Sequence, residues 1–591
     1  MATGEYSNET EKDEEDEEEE KTGGSGSRRE CGAAAVGAEG TGRRQGKRRR
    51  LLRPGRRGLG LGLGAGAGAG AGLPSSKGMG KTVAGLAVAV AAVACAGAVV
   101  VVSRRIRERG QRAKCLAILE EFRTACATPV SRLRQIVDAL VVEMHAGLAS
   151  DGGSRLKMLP SFVDVLPNGD EKGLYYALDL GGTNFRVLRV QLGGKEGRVI
   201  KQEYEEVSIP HRLMAASGQE LFEYIAKELA SFVNREGEGF RPHGNQKREL
   251  GFTFSFPVNQ TAINSGTLVQ WTKGFTCDGV PGKNVVQFLE EAMAKVGLQM
   301  KVTALVNDTV GTLAGGRYWN EDVMVAIILG TGTNACYVER ADAINKWNGL
   351  LPRSNSMVIN TEWGNFWSSH LPKTYADEGL DADSVNPGEQ GFEKLISGMY
   401  MGDIVRRVLL KMAQEADIFG KPIAPKLMQP YTLSTPHMSK MHGDETHDLR
   451  NVAKVLKDAF NISGTSLTVR KIVYMVCEVV CERGGRLAAA GVVGILKKIG
   501  RDGTGAGAGG QPLSRSSSAK NVSSRPRRTV VAMDGGLYEH YGKFREYLQQ
   551  ATTELLGEEV AKNVLIELSK DGSGIGAALL AASHSPSQKN L

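Results

Sequence analysis

From about residue 113 to 583 the chain alternates short apolar runs of strand character with longer stretches of helical period. That alternation predicts an α/β fold. Leu174-Tyr-Tyr-Ala-Leu-Asp-Leu180 and Phe185-Arg-Val-Leu-Arg-Val-Gln-Leu192 read as two strands around the tight turn Gly-Gly-Thr-Asn. Val323–Leu329 and Ala335–Glu339, separated by Gly330-Thr-Gly-Thr-Asn334, repeat the device. Thr529-Val-Val-Ala-Met533 reads as a further strand running into Asp534-Gly-Gly536. Pro281–Val296 predicts an amphipathic helix with Val285, Leu289, Met293 and Val296 on one face. Lys471–Cys481 predicts a core helix, and Arg501–Arg528, with no hydrophobic period, a surface loop.

The N-terminal part follows another pattern. Residues 1–78 are rich in Gly, Glu and Arg, with an acidic run at Glu11–Glu20, a basic block at Arg43–Arg57 and Gly/Leu then Gly/Ala repeats at Leu59–Gly72. This composition predicts a solvated extension and linker. Thr82–Val102 carries no charge and is followed by Ser103-Arg-Arg-Ile-Arg-Glu-Arg109. Its length suits a helix that crosses a bilayer, with the arginines keeping the globular part on the cytosolic side. A buried helix would not end in an arginine cluster. The segment Ser75-Ser-Lys-Gly-Met-Gly-Lys-Thr82 resembles a phosphate-binding P-loop but has Ser where that motif needs Gly, and no strand precedes it.

Overall charge and cysteine content narrow the partners. Much of the positive charge behind the net +8 sits in the basic block Arg43–Arg57, preceded by the acidic run, and just after the apolar run, so it argues for no nucleic-acid partner. The eight cysteines form no C-x-x-C pair, and Cys477 and Cys481 share a helix face that reads as core rather than metal site. Free thiols suit a reducing compartment.

Candidate chemistry lies in the glycine turns. Glycine lets the backbone approach an anion closely, and exposed N–H groups with Thr hydroxyls cradle phosphate oxygens. One such turn is weak evidence. Asp179–Asn184, Gly330–Asn334, Asp534–Gly536 and Asp571–Gly576 together are strong evidence of a nucleotide site.

The segment Gly251-Phe-Thr-Phe-Ser-Phe-Pro257, followed by Trp271-Thr-Lys-Gly-Phe275, is similar to the sugar-binding signature of hexokinases. Leu178-Asp-Leu-Gly-Gly-Thr-Asn-Phe-Arg-Val187 and Leu329-Gly-Thr-Gly-Thr-Asn-Ala-Cys336 resemble that family's two phosphate loops. Met79-Gly-Lys81 leading into the Ala/Val run resembles the start of membrane-anchored land-plant members. The resemblance covers about residues 113–583 and implies an actin-like ATPase (ribonuclease H-like) α/β fold with two lobes around a cleft. Composition and the resemblance together divide the chain into extension 1–78, which has no counterpart in the family, anchor 79–113, large lobe 114–170 and 307–574, small lobe 171–306, a helix 575–585 returning to the small lobe, and a tail 586–591.

The resemblance also implies site residues. The hexose would be held by Ser255, Thr272, Lys273, Asn307, Asp308, Asn334, Glu362 and Glu393. ATP would be held by Asp179, Gly181, Gly182, Thr183, Asn184, Arg186, Gly330, Thr331, Gly332, Thr333, Gly535 and Gly536. Asp308 would be the general base and Lys273 a charge-neutralising cation, with Mg²⁺ held mainly by the ATP phosphates rather than by the protein. The expected substrates are glucose, fructose and mannose. The expected protein is a monomer anchored at the mitochondrial outer membrane, or alternatively sited at the plastid. A non-catalytic hexokinase-like sugar sensor is the rival reading; its mark would be damaged phosphate loops, and these loops are intact.

Overall fold

The computed structural model describes residues 79–586 apart from 236, 238–247, 505–527 and 570–571, and for residues 79–90 and 94 the backbone alone. The expected extension, most of the expected loop Arg501–Arg528, Asp571 and the tail from 587 lie outside the described residues. Two units are distinguished, residues 1–87 and residues 88–591, and all tertiary structure described below belongs to the second.

Two sheets share one topology. The first consists of β1 (Lys172–Leu180), β2 (Asn184–Gly193), β3 (Val199–Ser208), β4 (Arg248–Phe254) and β5 (Met300–Val306), in the order β3-β2-β1-β4-β5. β1–β2 and β2–β3 are antiparallel, whereas β1–β4 and β4–β5 are parallel. On its outer face pack α1 (Gly218–Asn234), opened by a Ser217/Glu220 capping box, and α2 (Val285–Lys295). The helix α2 starts four residues later than the periodicity predicts. Asn284 caps it by accepting from the Val286 N–H at 3.0 Å, so Pro281-Gly-Lys283 is left as a turn.

A helix α3 (Asp308–Trp319) leads out of β5 into the second sheet. Its strands β6 (Val323–Leu329), β7 (Thr333–Arg340), β8 (Ser356–Asn360), β9 (Thr529–Asp534) and β10 (Val564–Leu568) run in the order β8-β7-β6-β9-β10. Again the first two pairings are antiparallel and the next two parallel. The pair Leu159–Pro160 adds a sixth strand antiparallel to β8. The strand alternation divides the cores. Val325, Ile327 and Leu329 enter the large helical core with α4 (Leu467–Lys498), while Ala326 faces the space between the sheets. Cys477 and Cys481 are fully buried in α4, and burial pushes both thiols far up.

The space between the sheets is filled by α3 and α5 (Gly572–Ser583), with Ala577–Ala582 packed against Tyr175, Ala177, Leu188 and Val190 of the first sheet. The helices cross backbone to backbone. A Cβ on Gly576 would stand 1.8 Å from the Gly311 carbonyl oxygen, and one on Gly251 would stand 2.1 Å from that of Ala577. No side chain fits at this crossing.

The helix Met79–Cys126 is continuous. Its last three turns bury Cys115, Ile118, Leu119, Phe122 and Cys126 in the large core, whereas Val99, Val100, Val101 and Val102 are exposed. Among the described residues no helix is long and apolar enough to cross a membrane; the side chains of 79–90, which begin the expected span, lie outside them.

Candidate functional site: a carboxylate- and amide-lined cleft

Many of the expected site residues follow the C-terminal end of a strand on one edge of the paired sheets. Asp179 and Gly181 close β1, Ser255 follows β4, Asn307 and Asp308 follow β5, Gly330 follows β6, Glu362 follows β8, and Gly535 follows β9. In open α/β sheets that edge is where ligands bind. The turns β1–β2 and β6–β7 occupy equivalent places in the two repeats.

Asn307 builds the centre of the site. Its side-chain oxygen caps α3, accepting from the Thr309 N–H at 3.0 Å and the Thr309 hydroxyl at 2.7 Å. This places Asp308 in the first turn, at the positive end of the helix. One oxygen of Asp308 accepts from the Thr309 N–H at 2.8 Å. The amide nitrogen of Asn334 donates to Asn307 Oδ1 (3.3 Å), Asn360 Oδ1 (2.8 Å) and Glu362 Oε1 (3.2 Å). Asn360 in turn donates to Glu362 Oε1 at 2.8 Å. Asn307, Asn334, Asn360 and Glu362 are thus one network. Asn360 escaped the sequence reading although it stands two residues before Glu362.

Glu393 approaches from another segment. Its Oε2 accepts from the Thr333 N–H at 2.9 Å, and a Cβ on Gly332 would meet that oxygen at 2.6 Å. The Thr333 hydroxyl accepts from the buried Trp363 Nε1 at 3.0 Å. Gly398 and Met399 donate from their backbones to the Gly330 and Thr331 carbonyls, at 2.8 and 3.0 Å. The third loop abuts the second. Gly535 has φ +103°, and a Cβ there would lie 2.6 Å from the Leu329 carbonyl.

Lys273 joins the first loop to the aromatic segment, with Nζ donating to the Gly181 carbonyl at 3.0 Å and the Ser255 carbonyl at 2.8 Å. The Ser255 hydroxyl is buried without a partner. Trp271 packs, stacking on Phe275 and donating to the Cys277 carbonyl at 2.8 Å. Three non-glycine residues at the site are left-handed: Lys273, Glu362 and Gln390, at φ 56°, 53° and 52°. Such backbone is costly and concentrates at working sites. Asn184 and Arg186 lie apart from the network. Asn184 donates to Glu206 at 2.6 Å, and the Arg186 guanidinium lies over the Tyr204 ring.

Carboxylates crowd the cleft. Burial pushes Asp179 up to about 6; the Ser573 hydroxyl, donating at 2.8 Å, opposes this, and Asp308 adds to it. Ser573, in the glycine-rich start of α5, also escaped assignment. Burial raises Glu362, against the Asn360 hydrogen bond and the charges of Lys157 and Lys273. Burial raises Glu393 too, against the Thr333 N–H. Such a pocket of acceptors suits a neutral ligand rich in hydroxyls.

Comparison with known proteins places these features. Two family profiles described as hexokinase match residues 118–318 and 324–583. The chain is 58% identical to hexokinase-2 of Oryza sativa subsp. japonica over 489 residues, 83% of this chain and 95% of that relative. It is 58% identical to hexokinase-1 of Spinacia oleracea over 488 residues, with the same coverage. Among solved structures it resembles the hexokinase of Schistosoma mansoni complexed with glucose, at 36% identity and TM-score 0.68, covering 80% of this chain and 99% of that one.

Proposed function

The chain belongs to the hexokinase family and phosphorylates a hexose at its 6-hydroxyl with ATP, and from that premise we propose that Asp308 is the general base. The carrying observation is the network Asn307–Asn334–Asn360–Glu362 beside Asp308, between two equivalent glycine turns. Glu362, Glu393, Asn307 and Asn334 grip sugar hydroxyls, with Ser255 and Thr272 closing from the other lobe. Asp308 accepts the 6-hydroxyl proton as that oxygen attacks the γ-phosphorus. The turns at 181–183, 330–333 and 535–536 hold the phosphates through backbone N–H groups, and Lys273 turns from its carbonyl partners to the transferring group. Phosphoryl transfer depends mostly on such positioning and charge neutralisation. Lobe closure excludes water, the competing acceptor.

The residues present fit a Mg²⁺ that arrives with the nucleotide. Asp179 and Asp534 flank the phosphate turns, and among the described residues no group of three His, Cys, Asp or Glu would hold an ion alone. Mg²⁺ would supply charge neutralisation on the phosphates beside Asp179. The same pocket takes glucose, fructose and mannose in this reading, and the protein acts as a monomer.

The apolar run serves as the anchor, at the mitochondrial outer membrane. What supports this is a continuous helix whose Val99–Val102 stretch is exposed and is followed by arginines. A coupled assay over a panel of hexoses tests the proposed substrate range. Turnover of all three, abolished in Asp308→Asn, is the expected result; glucose alone as substrate would remove fructose and mannose.

A further inference from the structure

Glu362 and Glu393 come from separate segments, and the packing between those segments sets how the two carboxylates stand to each other. Glu362 opens the tight turn Trp363–Asn365, which the Asn365 N–H closes by donating to the Glu362 carbonyl at 3.2 Å. Glu393 lies in the first turn of the short helix Gly391–Ile396, which Gln390 begins. The rings of Trp363 and Phe366 both meet Phe392 of that helix edge-on, with centroids 5.6 Å apart. A Cβ on Gly364 would stand 2.1 Å from Gln390 Oε1 and 3.3 Å from Glu393 Cβ, so turn and helix start are in direct contact. A polar bond crosses the same contact. Asn365 Oδ1 accepts from the Gln390 N–H at 2.8 Å.

The ordinary role of Asn365 is to satisfy one backbone donor, and the identity of that donor gives it a further one. Gln390 is left-handed, at φ 52°, and such backbone in a residue with a Cβ persists only where its surroundings hold it. From Gln390 the chain turns directly into helix, the Lys394 N–H donating to the Gln390 carbonyl at 3.0 Å, so this residue aims Glu393. Aromatic packing is non-directional and fixes how near the helix lies. A hydrogen bond prefers a near-linear donor and fixes its direction. Lys394 is engaged elsewhere, its Nζ donating to Asp381 Oδ1, Ser384 Oγ and the Asn386 carbonyl at 2.6, 2.9 and 2.8 Å. We propose that Asn365 is a positioning residue for the hexose: by holding the Gln390 N–H it fixes the Glu393 carboxylate relative to Glu362. This rests on both carboxylates being sugar ligands, as proposed above.

The test is steady-state kinetics of Asn365→Ala, Asn365→Leu, Asn365→Asp, Glu393→Ala and the double variant Asn365→Ala with Glu393→Ala, all in the full chain. Asn365→Ala should raise the glucose KM about 5- to 10-fold, because loss of one hydrogen bond depopulates the aimed arrangement by about that factor. The kcat should change by less than about twofold, as when binding common to ground and transition states is lost. Asn365→Leu keeps the volume without the acceptor and should match Asn365→Ala, so either variant alone decides the outcome. Asn365→Asp keeps an oxygen for the Gln390 N–H and should hold the KM within about twofold of wild type. In the Glu393→Ala background Asn365→Ala should add nothing, because the group it aims is gone. An unchanged glucose KM in Asn365→Ala and Asn365→Leu, alongside a raised one in Glu393→Ala, would overturn the role of Asn365 alone. An unchanged KM in Glu393→Ala would overturn the sugar-ligand reading of Glu393 itself. A defect that persists at full size in the Glu393→Ala background, or that Asn365→Asp fails to repair, would mark general loosening of the pocket and also overturn the proposal.

Discussion

The backbone N–H of Thr333 donates to Glu393 Oε2 at 2.9 Å, tying the turn Gly330–Asn334 directly to this carboxylate. In the proposed mechanism one side chain would therefore orient both substrates. Glu393→Ala should raise the hexose KM by about 10- to 100-fold, as expected for loss of hydrogen bonds to a charged group. It should also raise the ATP KM several-fold, whereas Glu362→Ala should affect the hexose alone. Initial-rate kinetics with each substrate varied at saturating partner distinguishes them. An unchanged ATP KM in Glu393→Ala would show that the turn keeps its shape unaided.

The environment of Asp179 opposes its charge, with burial and then Asp308 pushing it up to about 6. Its folded-state value lies above its unfolded one, so the folded protein binds the proton more tightly. Stability from this group is full below the unfolded value near 4 and is lost as pH rises through about 6. Asp179→Asn should therefore raise the melting temperature by a few degrees at pH 7.5 and little at pH 4.5, while abolishing most turnover. Melting curves of both proteins across that range check the sign; a variant less stable at pH 7.5 would contradict it.

The crossing of α3 and α5 sets a steric prediction. Gly576→Ala should destabilise by about 1–3 kcal/mol, as overpacking does, because its Cβ would stand 1.8 Å from the Gly311 carbonyl. Gly182→Ala, whose Cβ meets no atom within 4 Å, should change stability by less than about 0.5 kcal/mol. Denaturant unfolding of the two variants against wild type tests the contrast.

The membrane reading has a separate test. A fluorescent fusion of residues 79–113 should collect at the mitochondrial outer membrane, and deletion of that segment should leave an active, soluble kinase. Diffuse fluorescence or import into plastids would contradict it.

The paired strands and their turns were legible because strand period and glycine turns are local signals. So was the membership of Asn307, Asn334 and Glu362 in a single site, through motif resemblance. The duplicated sheet order was not legible, because it depends on β4 and β9 pairing in parallel across long separations. The start of α2 was missed because Asn284 as a cap competes with a periodicity that runs on through Pro281. Asn360 and Ser573 act through contacts between distant segments, as with Asn360 and Asn334, or Ser573 and Asp179, 394 residues apart. No spacing rule exposes those.

The central claim is that Asp308 supplies basicity rather than shape, and Asp308→Asn separates the two. Glucose affinity by calorimetry and turnover by a coupled assay should be measured on the same preparation. The account predicts that the variant binds glucose within about tenfold of wild type, through Asn307, Asn334, Glu362 and Glu393, while kcat falls by about 10²–10⁴-fold. Turnover within a few-fold of wild type, with glucose binding intact, would contradict it.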